Sequence, residues 1–71
     1  MRRKDVVIGK DYRAWTSMWG EFIINVRAII PTKPARIQGV IVKIISPRFA
    51  NRRLSVGQTA EVGIISIKQI K

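Results

Sequence analysis

The 71-residue sequence contains no cysteine and no histidine. Without cysteine there is neither a disulfide framework nor a thiolate metal site, and the fold rests on packing. Without histidine the usual zinc constellations and the commonest general base go too, leaving carboxylates, lysines and hydroxyls for any chemistry. Acids are scarce as well. Asp5, Asp11, Glu21 and Glu61 are scattered through separate stretches, whereas a glycosidase pair or a two-metal centre needs carboxylates converging on one cavity. Phosphate-cradling glycine loops and nucleophile elbows are missing. The expectation is therefore of no catalytic residue, no metal ligand and no cofactor.

Long apolar runs are lacking too. None approaches the ~18 residues of a membrane span. The opening MRRKDVVIGK has no apolar stretch of the ~7 to 15 residues that a signal peptide needs. A cytoplasmic protein without a membrane role is expected. Repeats, low-complexity tracts and linkers are absent, and no stretch reads as a long helix.

What is present is apolar sequence and positive charge. Hydrophobic residues make up 46% and charged residues 25%, the balance of a globular chain rather than a disordered one. At this length one domain is expected over residues 1–71, and such a domain buries only about 60% of its unfolded surface. Lys+Arg number 14 against 4 Asp+Glu, a formal net charge of +10. That density repels itself in a compact state, and an anionic partner relieves it. Nucleic acid is the partner expected.

Local patterns predict about five strands. Met1 to Lys4 reads as a basic arm, and Asp5 to Ile8 as a short strand ending at Gly9. Lys10 to Gly20 reads as a short strand and an irregular loop, because Thr16, Ser17 and Gly20 are poor helix formers. At least one of Trp15 and Trp19 is expected in the core, leaving Tyr12 as the surface aromatic. Glu21 to Ile30 alternates, with Phe22, Ile24, Val26, Ala28 and Ile30 on one face. Pro31 to Pro34 breaks the chain. From Ala35 to Ser46, a register slip at Gly39 would turn Ile37, Val40, Val42 and Ile44 inward, leaving Ile41 and Ile45 partly exposed. Leu54 and Val56 should anchor a loop that turns at Gly57-Gln58. Thr59 to Ile70 reads as a last strand, with a slip near Gly63 turning Ile65 and Ile67 inward. The architecture implied is all-β, a small five-stranded antiparallel barrel of the OB-like or SH3-like kind.

The stretch IQGVIVKIISPRFANRRL, Ile37 to Leu54, joins an apolar strand to a polar arm. In that arm Arg48, Arg52 and Arg53 bracket Phe49 and Asn51: guanidiniums for phosphates, a ring for a base, an amide for a base edge. The expected nucleic-acid site comprises Lys10, Tyr12, Arg13, Lys33, Arg36, Lys43, Arg48, Phe49, Asn51, Arg52 and Arg53. The cations hold the backbone while Tyr12 and Phe49 stack. RNA or single-stranded DNA is expected before duplex. The alternative is an interaction module that docks on an acidic protein or forms a homo-oligomer, suggested by Ile23, Ile29, Ile41 and Ile45 on nominally outer faces.

From Gly20 to Leu54 the sequence resembles the second half of a TRAM domain. A glycine precedes an alternating strand, a proline turn follows, and a β-branched strand leads into Arg48-Phe49-Ala50. Gly9-Lys-Asp-Tyr12 resembles that family's opening glycine and aromatic strand. The chain departs from the pattern in lacking the glycine-rich central loop and in continuing through a further strand. Gly39-Val40-Ile41 is similar to the first motif of Sm-like proteins and Asn51 to Leu54 to that motif's asparagine-hydrophobic end, without the acidic position. Either resemblance implies an RNA-binding barrel.

Overall fold

Alternating apolar residues and well-placed glycines decide most of the strands. The computed structural model describes residues 1–47 and 55–70. It contains β1 (Asp11–Thr16), β2 (Gly20–Ile30), β3 (Arg36–Pro47), β4 (Thr59–Gly63) and β5 (Ile67–Gln69), with 3-10 turns at Arg3–Asp5 and Ile64–Ser66. All five strands pair antiparallel in one sheet ordered β4-β3-β2-β1-β5. The all-β, five-stranded antiparallel expectation holds at that level.

β1 and β2 are joined by a tight loop, residues 17–19, rather than an irregular one. The Trp19 amide donates to Thr16 Oγ1 at 2.9 Å, and Gly20 closes the loop at φ +85°. A side chain at Gly20 would be strained in that conformation.

The sheet is strongly coiled. β4 and β5 lie on opposite edges, yet only Ile64–Ser66 separate them in the chain. Coiling also brings Thr16, Met18 and Trp19 beside Arg36 and Glu61, although β2 lies between β1 and β3. Three register shifts between β2 and β3 supply the bend: the ladder passes over Arg27 on β2 and over Val42 and Ile45 on β3. No β4–β5 ladder closes the sheet among the described residues.

The concave side holds the core, with Tyr12, Phe22, Ile24, Val26, Ile37, Ile41 and Ile67 fully enclosed and Val62 and Ile64 beside them. The radius of gyration, 11.2 Å, matches the roughly 11 Å expected of a compact chain of this length. Gly39 faces Val26 across the ladder, where a Cβ would overlap the Asn25 carbonyl oxygen and approach Ile24 Cγ1 to 2.8 Å. Its role is to let the two backbones approach.

Several expectations fail for identifiable reasons. Residues 5–8 form no strand; Asp5 ends a 3-10 turn, and Val6 and Met1 pack on the core. Met1 is therefore no part of a free arm, although Arg2, Arg3 and Lys4 are exposed. In β2 the bulge at Arg27 exchanges the faces, so Ile29 packs against the core instead of Ala28 and Ile30. In β3 the inward parity runs unbroken through Ile37, Gly39 and Ile41, because the first β3 bulge comes at Val42 and not at Gly39. Ile41 is thus buried and Val42 exposed, the reverse of the pattern expected; Ile44 packs partly against the core and Ile45 is exposed. The stretch from Thr59 to Ile70 is two strands, and the turn between them leaves Ile65 77% exposed while Ile67 points inward. The turn at Gly57 is present, with φ +91°, but Val56 is exposed rather than anchoring it. Leu54 lies outside the described residues.

Candidate nucleic-acid interface

Tyr12 is the clearest correction to the expected site. It is 0% exposed, and its ring faces the core. The Val7 N–H donates to its hydroxyl at 2.8 Å, and the hydroxyl donates to the Asp5 carbonyl at 3.4 Å. The N-terminal segment, expected to be a strand, instead covers the ring. A ring with no free face cannot stack on a base.

The residue next to it takes the outer face. Arg13 lies on β1 opposite Ile23 of β2, Ile23 lies opposite Lys43 of β3, and on the other side Arg13 lies opposite Lys68 of β5. Directly opposed residues share one face of a sheet. Lys68, Arg13, Ile23 and Lys43 therefore form a single cross-strand row. A groove of about 440 Å³ opens along it, lined by Arg13, Ile23, Ile45, Lys68, Gln69 and Ile70. A second, of about 230 Å³, adjoins it and is lined by Arg13, Ala14, Trp15, Glu21, Ser66 and Lys68. Arg13 and Lys68 stand between the two.

Arg13 is already paired. Its Nε lies 2.8 Å from Glu21 Oε2, and a terminal nitrogen donates to Glu21 Oε1 at 3.2 Å. Arg36 reaches Glu61 Oε2 at 3.5 Å. Asp11 accepts from the Asn25 amide at 2.8 Å. Three of the scarce acids are thus engaged, and among the described residues neither Lys43 nor Lys68 meets a carboxylate. No cluster of acids forms a metal site among those residues.

The other expected site residues are dispersed. Lys10 precedes β1, with its Nζ 5.7 Å from the centroid of the Tyr12 ring. Lys33 is exposed in the loop between β2 and β3. Arg36 lines a separate groove of about 240 Å³ with Thr16, Met18, Trp19 and Glu61. Arg48, Phe49, Asn51, Arg52 and Arg53 lie outside the described residues. Pro47, just before them, pairs with Gly20 at the end of the sheet that carries Trp15 and Glu21.

Two residues of the face were not on the expected list. Lys68 stands close to the end of the sequence, and its place beside Arg13 depends on β5 returning to β1. Trp15 is 51% exposed, whereas Trp19 packs against the core with its ring 6.3 Å from that of Phe22. The signal for Trp15 is its parity: it shares the face of Arg13, two residues away, and not that of Tyr12 and Ala14. No helix among the described residues is long and apolar enough to cross a membrane. No protein-family model, curated protein or solved structure matches the chain, and the TRAM and Sm-like resemblances rest on the residues quoted for them.

Proposed function

We propose that this chain is a non-catalytic module that binds single-stranded nucleic acid, RNA or DNA, through phosphates held on the outer face of β5, β1, β2 and β3. The observation that carries this reading is the row Lys68, Arg13, Ile23, Lys43, with two lysines that meet no carboxylate among the described residues, on a chain of net charge +10. At ~4.8 Å between strands, the row spans about 14 Å, enough for a strand's backbone to meet more than one cation. The apolar Ile23 and the half-exposed Trp15 on the same face favour a single strand, because a duplex turns its bases away from such a surface. Arg48, Phe49, Asn51, Arg52 and Arg53 stay in the proposal on their residue types alone. The strand order, a four-strand meander whose fifth strand returns to β1 after a 3-10 turn, favours the SH3-like over the OB-like form of barrel.

Replacing both Lys43 and Lys68 with glutamine tests the row. Binding to single-stranded oligonucleotides should weaken about equally across sequences, and the slope of log affinity against log salt should become shallower by roughly 0.7 per lysine. An unchanged slope removes the row from the site.

A second reading has its own support. Ile23, Ile45 and Ile70 line the larger groove, as an interaction module for an acidic protein or a second copy would require. Ile41 and Ile29 no longer contribute to that reading, the first being buried and the second packed on the core. Sedimentation with and without a mixed oligonucleotide pool separates the readings: a stable oligomer indifferent to nucleic acid favours the second.

A further inference from the structure

Trp15, Arg13 and Glu21 meet in the smaller groove. Trp15 is half exposed and is neither one of the core residues nor one of those packed against them. It lies directly opposite Glu21, while Arg13, two residues before it on the same face, holds the Glu21 carboxylate through two nitrogens. Lys68 and Ser66 complete the wall. The groove thus presents a flat indole, a fork of N–H donors occupied by an anion, an ammonium that meets no carboxylate among the described residues, and a serine.

We propose that this groove is a nucleotide subsite in which one base stacks on Trp15 and the adjoining phosphate displaces Glu21 from Arg13. The inference rests on the phosphate-binding reading above and deepens it. Guanidinium forks match carboxylate and phosphate oxygens in the same planar way, so Glu21 occupies the position a phosphate takes. The Arg13 and Glu21 side chains are 52% and 28% exposed. Exposed ion pairs contribute little, so exchanging one anion for another there is easily reversed. Residues two apart on a strand are ~6.6 Å apart, so a phosphate on Arg13 and a base on Trp15 belong to the same or adjoining nucleotides. Glu21 then acts as an internal competitor that lowers affinity for every ligand reaching Arg13. The stack, by contrast, acts only on ligands with bases.

The test is a fluorescence and affinity titration of the full chain with a thymidine oligonucleotide and with an abasic oligomer of equal length and charge. Expected are tighter binding of the base-bearing oligomer and quenching of the exposed indole. Trp15→Leu should weaken the base-bearing oligomer by roughly 5- to 150-fold while leaving the abasic one unchanged. Glu21→Gln should tighten both. The remaining Trp19 emission and circular dichroism verify that the variants are folded. Equal binding of both oligomers by the native chain, with Trp15→Leu indistinguishable from it, overturns the stacking subsite and leaves the phosphate reading standing. Weaker or unchanged binding by Glu21→Gln overturns the competitor role. Binding of neither oligomer overturns the subsite and the phosphate reading together, and preference for an acidic aromatic peptide over both oligomers reassigns the groove to a protein partner.

Discussion

At the scale of single residues, Tyr12 and Arg13 divide the labour that the sequence suggests for both. Neighbours on a strand face opposite ways, so one of them must enter the core. The longer apolar body goes in, and the charged fork stays out. Enclosing Tyr12 requires a partner for its hydroxyl, which the Val7 N–H and the Asp5 carbonyl supply. Tyr12→Phe leaves the Val7 amide without that acceptor and should cost about 1–3 kcal/mol in a urea unfolding experiment. Affinity for single-stranded nucleic acid, per folded molecule, should not change. A loss of affinity with stability intact would return Tyr12 to the binding surface.

At the scale of elements, regular alternation was legible and bulges were not. Phe22, Ile24 and Val26 follow a clean period of two and are buried as that period requires. Beyond Arg27 the same period leads to the wrong face, because a bulge inserts a residue without any local signal in the sequence. Gly39 attracted the slip that Val42 and Ile45 carry; its missing side chain instead serves the close approach to Asn25 and Ile24. In the last stretch the 3-10 turn at Ile64–Ser66 exposes Ile65 while Ile64 and Ile67 stay buried. Substitutions should report this difference directly. Ile37→Ala removes a fully enclosed side chain and should cost about 2–5 kcal/mol. Ile65→Ala should stay within about 0.5 kcal/mol of the native chain. Comparable losses at both positions in thermal melts would mean that Ile65 packs inward as the simple strand reading has it. The candidate face was legible in part for the same reason. Arg13 and Lys43 can be named from residue type alone, but their alignment through Ile23, and the arrival of Lys68 beside them, depend on which strands pair. That information is non-local.

At the scale of the whole molecule, a net charge of +10 goes with only four acids, three of which are already engaged by Arg13, Arg36 and Asn25. The coiled sheet has few residues to spare for a core, and its outer face sets cations, isoleucines and an indole among a few polar side chains, Glu21, Asp11 and Asn25. Both binding readings start from this face, and they differ in how they respond to salt. Phosphate neutralisation releases counterions from the nucleic acid, so affinity must fall steeply as salt rises, whereas apolar association of two copies does not require it. The decisive measurement is a titration of the native chain against single-stranded RNA, single-stranded DNA and duplex DNA over a range of salt concentrations. If about five phosphates are neutralised, log affinity should fall against log salt with a slope near −3.5 for either single strand, with the duplex bound more weakly at each salt concentration. Affinity that is flat in salt would contradict the account.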